Sequence, residues 1–239
     1  MNRVVSRCLL TAVVSAITLA AAGASGHDLW LERCEGGYIL LNGHLGSDIS
    51  SRETIDYQFS DIIDVLCFDS DGKAVEAEVV RGVPARITGS CAVVYALMSS
   101  GYWSETPFET KNLPKDEAWD PIRTWLSYES VKRIDGWGEG LSSPFVDGLE
   151  IIPLRDPLVL KKGKKVRLLV TLDGKPAAGV PVAYFDSTRG VTDRQGRINI
   201  RLGEGGMQLI KASLSVPGDS IKADEVVHNA ALVFEIEVE

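Results

Sequence analysis

The chain contains three histidines, and their positions give the first indication of chemistry. His27 follows a segment that is predicted to be removed, His44 follows Asn42-Gly43 at a predicted strand end, and His228 precedes the last predicted strand. Cleavage after Gly26 would give His27 a free α-amine, whose pKa of about 8 allows it to lose its proton when a metal ion binds. The three residues would then supply four nitrogen donors, one amine and three imidazoles.

The positions of the histidines leave alternatives open. Cleavage after Ala24 would give Ser25-Gly26-His27, a terminus that chelates square-planar Ni(II) or Cu(II) through its amine, backbone amides and imidazole. Isolated histidines in loops are also commonly solvated surface residues, and none of the three belongs to a His-x-x-x-His cluster. His228 could reach His27 and His44 only if the first and last strands approach each other.

Signatures of catalysis are absent from the sequence. It has no Gly-x-Ser-x-Gly elbow, no phosphate-binding loop and no Cys-x-x-Cys motif. Its acidic residues are numerous, but without a pocket their spacing does not define a pair of catalytic carboxylates. We therefore expect the protein not to be an enzyme.

The first 26 residues have the organisation of a secretory signal peptide. Arg3 and Arg7 precede an apolar run from Cys8 to Ala22, and small residues follow it. The run is shorter than the ~20 residues that a membrane-spanning helix needs. Removal of the segment changes the formal net charge from −8 to −10, which disfavours binding to nucleic acid. We expect a soluble protein in the periplasm.

The cysteines fit an oxidising compartment. Cys67 and Cys91 lie in apolar runs that are predicted to form neighbouring core strands, so a Cys67–Cys91 disulfide is expected. Cys34 would then be free or paired between chains. The alternative is that all three are reduced and buried as small hydrophobic side chains.

Short β-branched and aromatic runs, separated by Gly, Asp, Asn and Pro, predict an all-β fold from Tyr38 onward. We expect two β-sandwich domains, an N-terminal one over residues 27–150 and a C-terminal, immunoglobulin- or transthyretin-like one over residues 151–239. Apolar residues at helical spacing predict a short helical insertion around residues 114–134, kinked at Pro121. Its tryptophans and a nearby one could pack on a sheet or form a carbohydrate platform: Trp119, Trp125 and Trp137.

Several motifs together resemble the periplasmic component of nickel/cobalt uptake systems, a large family of secreted proteins whose named members are NikK-like accessory proteins of energy-coupling-factor transporters. The motifs occur in order along the chain: His27-Asp28-Leu29-Trp30-Leu31-Glu32, Asn42-Gly43-His44, Gly101-Tyr102-Trp103-Ser104-Glu105-Thr106, Leu149-Glu150-Ile151-Ile152-Pro153 and Thr192-Asp193-x-x-Gly196. The opening motif is the most specific of them. The resemblance implies an all-β two-domain protein that binds Ni(II) or Co(II) through His27, His44 and His228 and delivers the ion to a membrane transporter.

Two other functions compete with this expectation. The same terminus would suit a copper-handling protein, because imidazole and amine donors also bind Cu(II) and Zn(II), and the general order of affinities favours copper. In the other alternative, the protein is a structural or adhesive β-sandwich whose tryptophans bind a glycan or a protein partner. The histidines would then be incidental.

Overall fold

A computed structural model describes residues 27–46 and 52–238, and over these residues the fold is all-β. The predicted signal peptide lies outside them. Three short 3₁₀ turns occur at Phe59–Asp61, Lys115–Glu117 and Glu139–Ser142. In the described part of the chain, no helix is long and apolar enough to cross a membrane.

Eighteen strands account for the regular structure of these residues. They are β1 (Asp28–Cys34), β2 (Gly37–His44), β3 (Glu53–Thr54), β4 (Ile62–Phe68), β5 (Ala74–Val75), β6 (Glu78–Val80), β7 (Arg86–Thr88), β8 (Val93–Glu105), β9 (Thr110–Lys111), β10 (Arg123–Ile134), β11 (Leu149–Pro153), β12 (Lys165–Leu172), β13 (Lys175–Pro176), β14 (Pro181–Tyr184), β15 (Ser187–Val191), β16 (Arg197–Arg201), β17 (Gly206–Pro217) and β18 (Glu225–Ile236).

The strands form three sheets. The N-terminal sheet has the order β1-β2-β7-β6, with β3 paired to β2. The central sheet has nine strands in the order β15-β14-β17-β18-β10-β8-β4-β5, with β9 paired to β8. The C-terminal sheet has the order β11-β12-β13, with β16 paired to β12.

The central sheet contacts the other two sheets through opposite faces. Lys132 and Arg133 are neighbours on β10, so their side chains point to opposite sides of the sheet. The ammonium of Lys132 donates to Glu150 of β11 at 2.7 Å, whereas the guanidinium of Arg133 donates to the carbonyl oxygen of Leu31 in β1 at 3.0 Å. The fold therefore has three layers in this region, and the central strands are buried on both faces.

The apolar core runs through the layers as one connected cluster. Strands that are covered on both sides need apolar side chains at successive positions, as in Ala231–Phe234 of β18. The largest side chains with almost no exposed surface are those of Trp30, Arg133, Phe234, Leu31, Leu40, Leu45, Ile87 and Ile134. Trp30, Leu31, Leu40 and Leu45 belong to or flank β1 and β2, so these two strands are firmly embedded.

The helical insertion predicted around residues 114–134 is wrong. The segment contains one 3₁₀ turn, Lys115–Glu117, and then the twelve-residue strand β10. β10 pairs with β8 on one side and with β18 on the other, so both of its edges are hydrogen-bonded within the sheet. Because apolar residues on both faces of a buried strand lack strict alternation, they gave a spacing that matches a helix by chance.

The central sheet combines strands from both predicted domains. β10, from the first domain, pairs in parallel with β18, from the second, from Trp125 opposite Glu225 to Ile134 opposite Phe234. The central sheet therefore contains strands from both sides of the predicted division near residue 150. The two-sandwich division and the immunoglobulin- or transthyretin-like arrangement of the C-terminal part stay predictions.

The predicted disulfide between Cys67 and Cys91 is confirmed, with the two Cα atoms 5.4 Å apart. It joins Cys67 of β4 to Cys91, which lies just before β8, and β4 and β8 are also paired in the central sheet. Cys34 has no disulfide partner among the described residues.

Candidate functional site

The structure brings His27 and His44 together at one corner of the N-terminal sheet. Their ring centroids lie 5.1 Å apart, the ring planes meet at 76°, and both side chains are exposed. β1 and β2 are antiparallel with Asp28 opposite Gly43, so one further step of the register places His27 opposite His44. We call these two residues the histidine pair. At this separation their imidazoles can offer two nitrogen donors to one ligand.

The backbone around Gly43 shapes the same corner. Gly43 has a φ of +148°, and a Cβ added there would lie only 2.0 Å from the carbonyl oxygen of Glu53. A side chain at this position would therefore push β3 away from β2. With glycine present, β3 pairs closely and places Glu53 opposite His44. The Asn42-Gly43-His44 motif thus brings an exposed carboxylate next to the histidine pair.

Asp28 anchors both segments that carry the histidines. Only 3% of Asp28 is exposed, and its carboxylate accepts a hydrogen bond from the backbone N–H of Leu45 at 2.9 Å. The same carboxylate forms an ion pair with Lys211 of β17, whose ammonium also lies 3.5 Å from Asp186. Asp28 follows His27 directly and Leu45 follows His44 directly, so one buried group holds both histidines against the central sheet.

Arg133 provides a second anchor for β1. Its guanidinium is fully buried and donates to the Leu31 carbonyl oxygen, to Asp135 at 2.9 Å and to Glu235 at 2.7 Å. Burial alone would lower the pKa of Arg133, but the hydrogen bonds and charges of the two carboxylates raise it. The permanent charge is thus compensated, and β1 is fixed at two points three residues apart.

His228 lies away from the histidine pair. His228 and Ala231 are three residues apart on β18, so their side chains point to opposite faces of the central sheet. Ala231 is opposite Lys211, whose side chain reaches Asp28 of the N-terminal sheet. His228 therefore points to the face that carries the C-terminal sheet. Its ring stacks on Tyr128 with the centroids 5.5 Å apart, and burial lowers its pKa, with Asp173 opposing the shift. The structure therefore does not bring His228 to the same site as His27 and His44.

No group of three or more His, Cys, Asp or Glu side chains within residues 27–46 and 52–238 is arranged to hold a metal ion. The side chains at the corner therefore amount to the histidine pair with Glu53 nearby. A further donor would have to come from the α-amine of a chain that begins at His27, or from a polar atom such as Asn42 Oδ1. That oxygen is buried and has no hydrogen-bond partner in the described part of the chain.

The sequence analysis missed the residues that position the pair, namely Asp28, Lys211 and Arg133. A signal for Asp28 exists, since an acidic residue that directly precedes the apolar run Leu29-Trp30-Leu31 in a buried strand requires a partner. Lys211 and Arg133 lie more than 100 residues along the chain from the β1 residues that they bind, and only the topology brings them close.

The predicted tryptophan positions have three different environments. Trp119 is 74% exposed, whereas Trp137 packs against the core. Trp125 stacks on Trp103 of the neighbouring strand at 6.4 Å, and Arg123 lies 5.2 Å from the centre of the Trp125 ring. The three tryptophans therefore do not form one carbohydrate platform.

The fold and the site define an all-β protein of layered sheets that displays a histidine pair at one corner. The chain belongs to the family described as domain of unknown function (DUF4198), whose sequence profile matches residues 24–216. No curated protein and no solved structure matches the chain.

Proposed function

We propose that the protein binds Ni(II) or Co(II) in the periplasm and delivers the ion to a membrane transporter. The observation that carries the proposal is the histidine pair, in which His27 and His44 meet at 5.1 Å on an exposed corner. Neutral imidazole is a borderline ligand that suits Ni(II), Co(II), Cu(II) and Zn(II). An exposed corner also allows an ion to be passed on, which is what a carrier requires and an enzyme does not.

The proposed donor set differs from the one expected from the sequence. After cleavage behind Gly26, His27 would contribute its α-amine and its imidazole, and His44 would contribute a second imidazole. Water, Glu53 or Asn42 would complete the coordination, since oxygen donors are acceptable to Ni(II) and Co(II). His228 is left out of the set because it faces the opposite side of the central sheet.

Copper handling is the second candidate. It is supported by the same corner, where the two imidazoles and the α-amine of His27 would give three nitrogen donors. The order of affinities for a nitrogen site favours Cu(II) over Ni(II) and Co(II). In this case selection of the metal would depend on its supply, since the residues of the corner do not exclude copper by their chemistry.

The proposal is tested with the α-amine of His27. Calorimetric titrations with Ni(II), Co(II), Cu(II) and Zn(II) are compared for a protein that begins at His27 and for the same protein with its α-amine acetylated. Acetylation turns the amine of His27 into an amide and adds no new donor amine, so we expect at least about a tenfold loss of affinity, which corresponds to about 1.4 kcal/mol. Equal binding by the two proteins would eliminate the terminal-amine site. No binding of any metal by either protein would favour a structural or adhesive sandwich.

A further inference from the structure

One end of the central sheet exposes an apolar surface that the histidine site does not use. β8 and β10 pair with Glu105 opposite Arg123, and β17 and β18 pair with Pro217 opposite Glu225. Trp125, two residues after Arg123 on β10, is opposite Glu225 of β18. The connections between β8 and β10 and between β17 and β18 therefore emerge at the same end, which we call the aromatic end.

Four large side chains are exposed on these two connections. Phe108 is 79% exposed, Trp119 74%, Ile122 66% and Ile221 68%. The rings of Phe108 and Trp119 stack with their centroids 6.2 Å apart and their planes at 17°. At this exposure the two rings alone present on the order of 300 Å² of apolar surface to solvent. Patches of a few hundred Å² on a folded protein commonly mark an interaction site.

The connections that carry these side chains are held in place by hydrogen bonds. The backbone N–H of Ile122 donates to Glu105 at 2.7 Å, and that of Lys115 donates to the carbonyl oxygen of Lys222 at 2.8 Å. The carboxylate of Asp224 accepts from the hydroxyl of Thr124 at 2.8 Å. The apolar side chains are therefore presented on a preorganised surface, which reduces the entropic cost of binding.

The charges around the aromatic end are predominantly negative. Three of its cations are already paired: Lys111 with Glu109, Lys115 with Asp224 and Arg123 with Glu225. The fourth, Lys222, forms no ion pair with a described residue and lies 5.7 Å from the centre of the Tyr102 ring. In contrast, four exposed carboxylates form no ion pair with a described residue: Glu105, Asp116, Glu117 and Asp120. An acidic rim repels an anionic membrane surface and attracts a partner with basic residues.

The neighbouring aromatic pair does not favour a sugar as the ligand. Trp125 has Trp103 stacked at 6.4 Å and the guanidinium of Arg123 5.2 Å from its centroid. Contacts of this kind compete for the ring faces on which a sugar would stack. A protein surface needs no such faces, because it can enclose the protruding rings of Phe108 and Trp119 from the side.

We infer that the aromatic end is the docking surface for a protein partner that has an apolar pocket for Phe108 and Trp119 and a rim of lysine or arginine residues. Large aromatic side chains at the centre of an interface, with polar residues around them, are the usual arrangement of binding hot spots. The acidic rim would pair with the partner's basic residues and increase the rate of association.

The start of β1, which carries the histidine pair, points toward the aromatic end but lies nearer the opposite end of β10. Asp28 pairs with Lys211, which is level with Val131 of β10, and the carbonyl oxygen of Leu31 accepts from Arg133. Six residues of strand separate Val131 from Trp125, or roughly 20 Å along the strand. An interface of about 800 Å² on each partner can cover this distance. That the docked partner also receives the ion rests on the proposed function, whereas the docking itself does not.

The test uses photo-crosslinking of the full-length protein in cells of its source. Benzoyl-phenylalanine replaces Phe108, and in the control it replaces Val159, which is 71% exposed and lies outside the aromatic end. We expect irradiation to give one discrete product with another protein from position 108 and none from position 159. The yield should fall at least tenfold when Trp119→Ser is added, and likewise when the rim is reversed with Asp116→Lys and Glu117→Lys.

Several results would overturn the inference. They are the absence of a discrete product, a product containing a second copy of this chain, and a yield that is unchanged by reversal of the rim. Binding of the purified protein to phosphatidylcholine or phosphatidylglycerol vesicles, lost in Trp119→Ser, would instead assign the surface to a membrane. Addition of His27→Ala and His44→Ala should leave the crosslink unchanged, so failure of docking and failure of metal binding can be told apart.

Discussion

Replacement of Asp28 by alanine gives a direct test of how the histidine pair is held. The change leaves the N–H of Leu45 without its acceptor, which costs about 1–3 kcal/mol for a buried group. It also removes the ion pair with Lys211, for which we count only about 1 kcal/mol because the side chain of Lys211 is 25% exposed. We therefore expect the free energy of unfolding to fall by about 2–4 kcal/mol in total.

Urea unfolding of the wild-type protein, Asp28→Ala and Asp186→Ala measures this loss. Asp186 is the matched control, because its carboxylate approaches the same lysine but its side chain is 74% exposed. We expect Asp186→Ala to stay within about 0.5 kcal/mol of the wild type. In thermal unfolding, Asp28→Ala should lower the Tm by roughly 4–16 °C for a chain of this size. Equal stability of the two variants would refute the anchoring role of Asp28.

Three further predictions concern the layers around the site. Lys132→Met or Glu150→Gln alone should each lower the free energy of unfolding by about 3–5 kcal/mol, because each leaves a buried charge unpaired, and the double variant should cost clearly less than the sum in the same urea assay. Reduction of the Cys67–Cys91 disulfide should cost about 3 kcal/mol, and an unchanged unfolding midpoint would contradict this. Burial lowers the pKa of His228 in the folded protein, so the unfolded chain takes up a proton first, and stability is lost as the pH falls through the unfolded value of about 6.5. His228→Gln should therefore show a shallower loss of stability between about pH 7 and pH 5, and a slope equal to that of the wild type would contradict the shift.

Much of the strand content could be predicted from local patterns. The predicted all-β fold is confirmed, and the apolar runs around Cys67 and Cys91 belong to paired strands, as expected from their predicted disulfide. These features depend on residues close together in sequence or on a single covalent link. β10 could not be predicted in the same way, because a strand buried on both faces has no alternation to distinguish it from a helix.

The candidate site was only partly accessible from the sequence. His27 and His44 could be singled out because each lies at the end of a predicted element, and the register of β1 and β2 explains their proximity. The place of His228 depends on which face of β18 the N-terminal sheet covers, and no local pattern encodes that choice. Lys211, which pairs with Asp28, is unremarkable in sequence and gains its role only through the packing of β1 on the central sheet.

The most direct test of the metal site compares two single variants of the protein that begins at His27. Calorimetric titration with Ni(II) and Co(II), and with Cu(II) for comparison, is carried out on His44→Ala and His228→Ala. Because His44 contacts His27 and His228 lies on the other face of the central sheet, we predict at least about a tenfold loss of affinity in His44→Ala. Affinity should change by no more than about twofold in His228→Ala, which is under 0.5 kcal/mol. An equal loss in both variants, or none in His44→Ala, would contradict the assignment of the site to the histidine pair.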